Sequence, residues 1–243
     1  MNTRVLAHRG FSGRYPENTM RAFREAVAVG ADGVEFDVQR TRDGELVVFH
    51  DERLDYSTTA EGWVKDTSWR ELQAVSVRAR TGDIIYGDAV PHLDEVLALL
   101  AGQAELVINV ELKNGLIPYP GIEEQVLHAL ANHGLSGRTI VSSFNHTSVQ
   151  KVKQIDSSIT TGIIFSGRLH DPWNYARAVH ADALHLDKGF VDEEFVRVAQ
   201  TEGFLVNTYT VNDALEINRI LQAGVNGIIT NYPDRVFHNT KER

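Results

Sequence analysis

The chain of 243 residues contains no cysteine. That excludes disulfides, thiolate metal sites and a cysteine nucleophile. It also lacks any run of Lys or Arg, and 24 basic against 33 acidic side chains leave a formal charge of −9. A nucleic-acid binder presents a basic face or stripe, so nucleic acid is not an expected partner. No apolar run approaches the ~18 residues of a membrane-spanning helix. Met1-Asn2-Thr3-Arg4 leads straight into Val5-Leu6-Ala7 without the apolar segment of a secretory signal. The expectation is a cytoplasmic protein with no stable membrane insertion. No G-x-G-x-x-G follows the first apolar run, so a dinucleotide-binding sheet lacks its fingerprint. An acidic chain that handled phosphate would need positive charge placed locally, by a metal or a few cations.

What is present is a regular alternation. Short apolar runs at Val5–His8, Gly33–Val38, Leu106–Leu112, Thr139–Ser143, Thr161–Phe165, Ala183–Leu186, Phe204–Thr208 and Gly227–Thr230 read as strands. Several are continuously apolar, as parallel strands buried on both faces are. Helical patterns fall between them at Asn18–Val29, Leu93–Leu100, Ile122–Asn132, His146–Ile155, Pro172–His180, Asp192–Thr201 and Asn212–Ala223, the first with Asn18 as its expected cap. Eight strands alternating with helices in a chain near the ~250 residues of that fold point to an α/β, (β/α)8 TIM barrel in one domain over 1–243. Residues 39–91 are too long for a simple βα connection. Asp43-Gly44 marks a turn, so Leu46–Phe49 should pair back onto strand two and end at His50. Residues 52–90 then form a small inserted cap.

Barrel active sites lie at the C-terminal ends of the strands. Strand one ends in His8-Arg9-Gly10, and strand two carries Glu35 and Asp37. Two residues apart on a strand, those carboxylates share a face. Side by side they repel unless a proton or cation intervenes. Glu111 adds a third carboxylate from the next strand, and an all-oxygen set suits Mg²⁺ or Ca²⁺ better than Zn²⁺. His8 and His50 are the candidate acid and base, because imidazole changes protonation near neutral pH; the residues alone do not assign the two roles. Arg9 and Lys113 supply positive charge for a phosphate. Pro16-Glu17-Asn18-Thr19 starts a helix and could reach the mouth. Phe144 and Tyr209 follow strand ends and could wall an apolar side. His92, His128, His133, His146, His170, His180, His185 and His238 lack comparable context, although His185 lies inside strand six.

In that order, His8-Arg9-Gly10, Pro16-Glu17-Asn18-Thr19, Glu35-x-Asp37, His50-Asp51, Glu111-Leu112-Lys113 and Ser143-Phe144 resemble the glycerophosphodiester phosphodiesterase family. So does Val90-Pro91-His92-Leu93-Asp94-Glu95-Val96. The resemblance runs from residue 5 to about residue 236. It implies one divalent ion, Mg²⁺ or Ca²⁺, on Glu35, Asp37 and Glu111. It implies His8 and His50 as acid and base, and Arg9 and Lys113 at the phosphate. The implied reaction is hydrolysis of a glycerophosphodiester to sn-glycerol 3-phosphate and an alcohol such as choline or ethanolamine. The glycerol 2-hydroxyl would attack phosphorus, and water would open the resulting cyclic phosphate. Two positions depart from the family pattern. Tyr209 stands where Trp is frequent, which should bear on the pocket wall. Thr230-Asn231-Tyr232-Pro233 stands where Thr-Asp-x-Pro is common, which is expected to concern local structure only. A lipid-directed relative would need an apolar loop facing a membrane. Residues 52–90 are mostly polar, with Trp63 and Trp69 as the exceptions, so a water-soluble diester is the expected substrate.

Overall fold

A computed structural model describes residues 3–85 and 87–236; His238 lies outside them. The chain opens with β1 (Arg4–His8), α1 (Met20–Ala28), β2 (Gly33–Arg40) and β3 (Leu46–Val48). The inserted segment follows with α2 (Trp69–Leu72), β4 (Val77–Arg78) and β5 (Ile84–Ile85). Regular alternation then resumes with α3 (Leu93–Ala101), β6 (Val107–Leu112), α4 (Ile122–Asn132), β7 (Thr139–Ser143) and α5 (His146–Ile155). It ends with β8 (Thr160–Phe165), α6 (Pro172–Ala178), β9 (Ala183–Asp187), α7 (Glu193–Thr201), β10 (Leu205–Tyr209), α8 (Ala214–Ala223) and β11 (Gly227–Thr230).

Eight parallel strands run in the order β1, β11, β10, β9, β8, β7, β6, β2, and β2 pairs back to β1, which closes the barrel. The expected extra strand is there: β3 pairs antiparallel with the end of β2, Val38 opposite Val48. Apolar side chains pack in two shells between barrel and helices. Inside the barrel, Leu6, Val107, Ile140 and Ile229 form a separate apolar plug, against which Tyr209 rests.

Strand β2 shows how packing aims the site. Val34, Phe36 and Val38 are fully buried in the outer shell, where Phe36 meets Phe23 of α1 edge to face at 5.7 Å. Burying each such side chain contributes roughly 1.5–3 kcal/mol. With period two, the same packing turns Glu35, Asp37 and Gln39 inward.

One cap differs from the expectation. Thr19, not Asn18, caps α1, accepting a hydrogen bond from the Ala22 amide. Both residues are good caps. Asn18 sits in the left-handed region at φ 56° and spends its side chain on Asp37 instead. Asn tolerates that backbone at small cost.

The insertion has its own core of Leu54, Val64, Leu72 and Val77, joined to Val47, Phe49 and Val90. Trp69 packs against this core, and Trp63 is half-buried under Arg53, so neither tryptophan forms an exposed apolar face. Among the described residues no helix is long and apolar enough to cross a membrane.

Candidate active site

The C-terminal ends of the strands enclose a cavity of about 270 Å³. His8, Arg9, Glu35, His50, Glu111, Lys113, Phe144 and Tyr209 all line it. Asp37 stands behind them, 1% exposed. Each sequence-derived candidate is therefore in or against one chamber.

Backbone register brings the carboxylates together. Glu35 lies opposite His8 on β1 and Asn109 on β6, and Asp37 lies opposite Glu111. One oxygen from each of Glu35, Asp37 and Glu111 lies within 4.8 Å of the other two. Burial, then the charges of Asp37 and Glu111, push the Glu35 carboxyl well above the usual range. Burial and Asp37 also raise Glu111, although Lys113 Nζ sits 3.1 Å away. Asp37 goes the other way: burial opposes its charge, but Arg9, His50 and Lys113 hold it down at about 2. Its Oδ2 accepts from Asn18 Nδ2 at 2.9 Å, while its buried Oδ1 has no hydrogen-bond partner. A full carboxylate with one orphaned oxygen beside two strained ones is a set of oxygen donors suited to a hard divalent cation.

Around this triad sit the other charged groups. The Arg9 amide donates to Glu35, and its guanidinium reaches Glu17 at 2.6 Å and Asp37 at 3.3 Å. Arg9 is left-handed at φ 54° and Gly10 at φ 74°. A Cβ on Gly10 would meet the Ala22 backbone at 2.6 Å, so this tight exit from β1 requires glycine. Arg80 of the insertion reaches the other Glu17 oxygen at 3.3 Å.

The histidines are held from outside the cavity. His8 Nδ1 contacts Asn231 Oδ1 at 2.6 Å, and its Nε2 lies 3.9 Å from Glu35. Burial, then the Arg9 charge, lower its pKa to about 3, so the ring is neutral. His50 Nδ1 contacts Asp51 at 2.8 Å, and Asp51 accepts from Ser57 at 2.9 Å. Burial opposes the Asp51 charge, but those two hydrogen bonds hold its carboxyl below the usual range.

Three residues of this site go beyond the sequence reading. Asn231, expected to matter only locally, orients His8. Gln39, fully buried on β2, points its amide at the carbonyls of Phe49, His50 and Asp51 at 2.9, 3.1 and 2.8 Å, which pins the His50 loop. Period-two reading from Glu35 and Asp37 could have found it. His185, set aside for want of context, lines the cavity from β9. Phe144 and Tyr209 meet edge to face at 6.3 Å on one wall, and Phe144 is 46% exposed at the opening.

Comparison with known proteins agrees with this fold. The sequence profile of the glycerophosphoryl diester phosphodiesterase family matches residues 8–235. A glycerophosphodiester phosphodiesterase of Caldanaerobacter subterraneus subsp. tengcongensis is 38% identical over 238 residues, 98% of each chain. One from Bacillus altitudinis is 39% identical over 239 residues, 96% of each chain. Among solved structures, an Oleispira antarctica phosphodiesterase in complex with the product sn-glycerol-3-phosphate superposes with a TM-score of 0.86 at 26% identity, covering 99% of this chain and 97% of that one. A glycerophosphodiester phosphodiesterase from Agrobacterium tumefaciens gives 0.81 at 25% identity, covering 96% and 98%.

Proposed function

The chain belongs to the glycerophosphoryl diester phosphodiesterase family, and from that premise we propose that it hydrolyses glycerophosphodiesters such as glycerophosphocholine or glycerophosphoethanolamine to sn-glycerol 3-phosphate and the alcohol. The observation that carries this reading is the convergence of three carboxylates, two histidines and two cationic side chains in the barrel mouth.

Glu35, Asp37 and Glu111 would hold one divalent ion, Mg²⁺ or Ca²⁺; the orphaned Asp37 oxygen and the mutually repelling glutamates fit it. Bound there, such an ion would neutralise charge that develops on the phosphoryl oxygens. Arg9 and Lys113 grip the same phosphate. Arg9 can do so because its guanidinium carries five donors, of which Glu17 and Asp37 occupy only part.

His8, neutral in its buried setting, is the proton acceptor. It takes the proton of the glycerol 2-hydroxyl as that oxygen bonds to phosphorus. His50, steadied by Asp51, gives a proton to the departing alcohol oxygen as its bond to phosphorus breaks. In the second half the roles reverse. His50 takes a proton from water, whose oxygen joins phosphorus, and His8 returns its proton to the 2-oxygen as the cyclic phosphate opens. Phe144 and Tyr209 wall the side where the alcohol leaves. The 52–90 insertion acts as a cap on this single domain, reaching the Arg9–Glu17 pair through Arg80.

The test is release of sn-glycerol 3-phosphate from glycerophosphocholine and glycerophosphoethanolamine, after EDTA and after Mg²⁺ or Ca²⁺ is restored. Cation-dependent release from either substrate is expected. Folded protein that releases none, with either ion present, contradicts the reading.

A further inference from the structure

The insertion meets the barrel mouth at Asp51, whose two carboxylate oxygens face different ways. Oδ1 meets His50 Nδ1 at 2.8 Å, and Oδ2 accepts from Ser57 Oγ at 2.9 Å. An ionised carboxylate takes the Nδ1 proton as a hydrogen bond, which leaves His50 Nε2 for the cavity that the ring lines. Two anchors fix a planar carboxylate, whereas one leaves it free to turn about its Cβ–Cγ bond. That freedom is open to Asp51, because its side chain is 26% exposed and water can take up a released oxygen.

The insertion itself sets the place of Ser57. The Ser57 carbonyl accepts from the Arg78 amide of β4 at 2.7 Å. Arg78 Nε donates to the next carbonyl, that of Thr58, at 2.8 Å. Thr58 is 1% exposed, and its hydroxyl and amide both donate to the Leu54 carbonyl, at 2.8 and 2.9 Å. Leu54 and Val77 belong to the insertion's own apolar core. From the other side the barrel grips the same loop, through Gln39 and the carbonyls of Phe49, His50 and Asp51. Gln39 holds the His50 backbone, but a fixed backbone still leaves two side-chain torsions on the histidine. Asp51 restrains those torsions, and Ser57 restrains Asp51.

Resting on the hydrolase reading above, with His50 as the acid that protonates the departing alcohol, we propose that Ser57 is a positioning residue for catalysis: through Asp51 it keeps the His50 ring aimed at the leaving oxygen. The insertion then does more than cover the mouth. It supplies the outer end of the chain Ser57–Asp51–His50, so the acid is complete only with the insertion packed on the barrel. Only the His50 proton moves, to the alcohol oxygen as its bond to phosphorus breaks; Asp51 stays ionised and Ser57 keeps its proton.

The test measures kcat/KM for release of the alcohol from glycerophosphocholine and from the para-nitrophenyl ester of glycerol phosphate. This quantity counts steps only up to the alcohol's departure, so opening of the cyclic phosphate does not enter. Choline leaves poorly unless its oxygen is protonated as the bond breaks, whereas para-nitrophenolate leaves without a proton. Ser57→Ala should slow choline release by on the order of 10-fold, as loss of a hydrogen bond to a charged group does, and should scarcely change para-nitrophenol release. Ser57→Thr, which keeps the hydroxyl, should restore choline release. His50→Ala should show the same split between substrates with a larger loss. Equal slowing of both substrates by Ser57→Ala overturns the proposal, because a merely structural loss falls on both alike; so does choline release at the wild-type rate. If Ser57→Ala does not fold, the isosteric pair Ser57→Thr and Ser57→Val makes the same comparison. If His50→Ala slows both substrates alike, the acid assignment falls and the role of Ser57 with it. A wild type that cleaves both substrates while Ser57→Ala shows no split refutes the positioning role alone; one that cleaves neither refutes the hydrolase reading as well.

Discussion

Among the described residues, two places bury carboxylates, and they treat them oppositely. Glu123 on α4 is 7% exposed between α4 and α5. Ser148 Oγ donates to it, Asn114 Nδ2 reaches it at 3.3 Å, and Lys151 Nζ sits at 3.0 Å. In the barrel mouth, Glu35, Asp37 and Glu111 crowd one another, and an Asp37 oxygen has no partner. The first arrangement completes its hydrogen bonds within the protein and serves the fold. The second leaves them incomplete, and a buried charge so left is costly unless something from outside completes it. Under the proposed function, stability and catalysis fall to separate acids.

The largest expected effects are at the histidines. His8→Ala or His50→Ala should lower turnover by roughly 10²–10⁴-fold, the usual share of general acid–base catalysis, while circular dichroism shows the fold retained. Near-normal rates from either would remove that residue from the mechanism. Next come the two kinds of acid. Glu35→Gln should cut activity by more than the ~10–100-fold typical of losing a group that only orients a metal ligand, yet raise the unfolding midpoint of the EDTA-treated protein, because it removes a repelled charge. Glu123→Ala should do the reverse. Steady-state kinetics should be unchanged, and stability should fall by about 1–3 kcal/mol for the donors left unpaired. At roughly 2–4 °C per kcal/mol for a chain of this size, that is a visible drop in Tm. If both substitutions shift stability in the same direction, the contrast is wrong.

The smallest expected effect is on pH dependence. Glu35 and Glu111 have folded-state pKa values raised above their unfolded ones by burial and by neighbouring acids. The folded protein then holds more protons than the unfolded chain above about pH 4.5, and stability falls as pH rises through that window. Thermal melts of EDTA-treated protein should show this decline. Saturating Mg²⁺ or Ca²⁺, or the Glu35→Gln substitution, should flatten it.

Most of the barrel was legible because buried parallel strands are written as apolar runs, and strands such as Thr139–Ser143 and Gly227–Thr230 have the same bounds in sequence and structure. Glu35 and Asp37 were legible because a period of two puts both on one face. Asn231 was not: it meets His8 only because β11 closes on β1, a contact spanning 223 positions. His185 was not, because nothing local says which strand residues face the cavity. That depends on the stagger of all eight strands. The Asn18–Thr19 exchange failed for a different reason. Both side chains cap helices well, and the choice was made by Asp37, which takes the Asn18 amide for itself.

The most direct measurement is a titration of EDTA-treated protein with Mg²⁺ or Ca²⁺, following Tm and release of sn-glycerol 3-phosphate from glycerophosphocholine on the same sample. If the triad is a cation site that serves catalysis, both should rise together over one concentration range, and Glu35→Gln should abolish or displace both curves. Full activity in EDTA, or activity that rises while Glu35→Gln leaves both curves where they were, would contradict it.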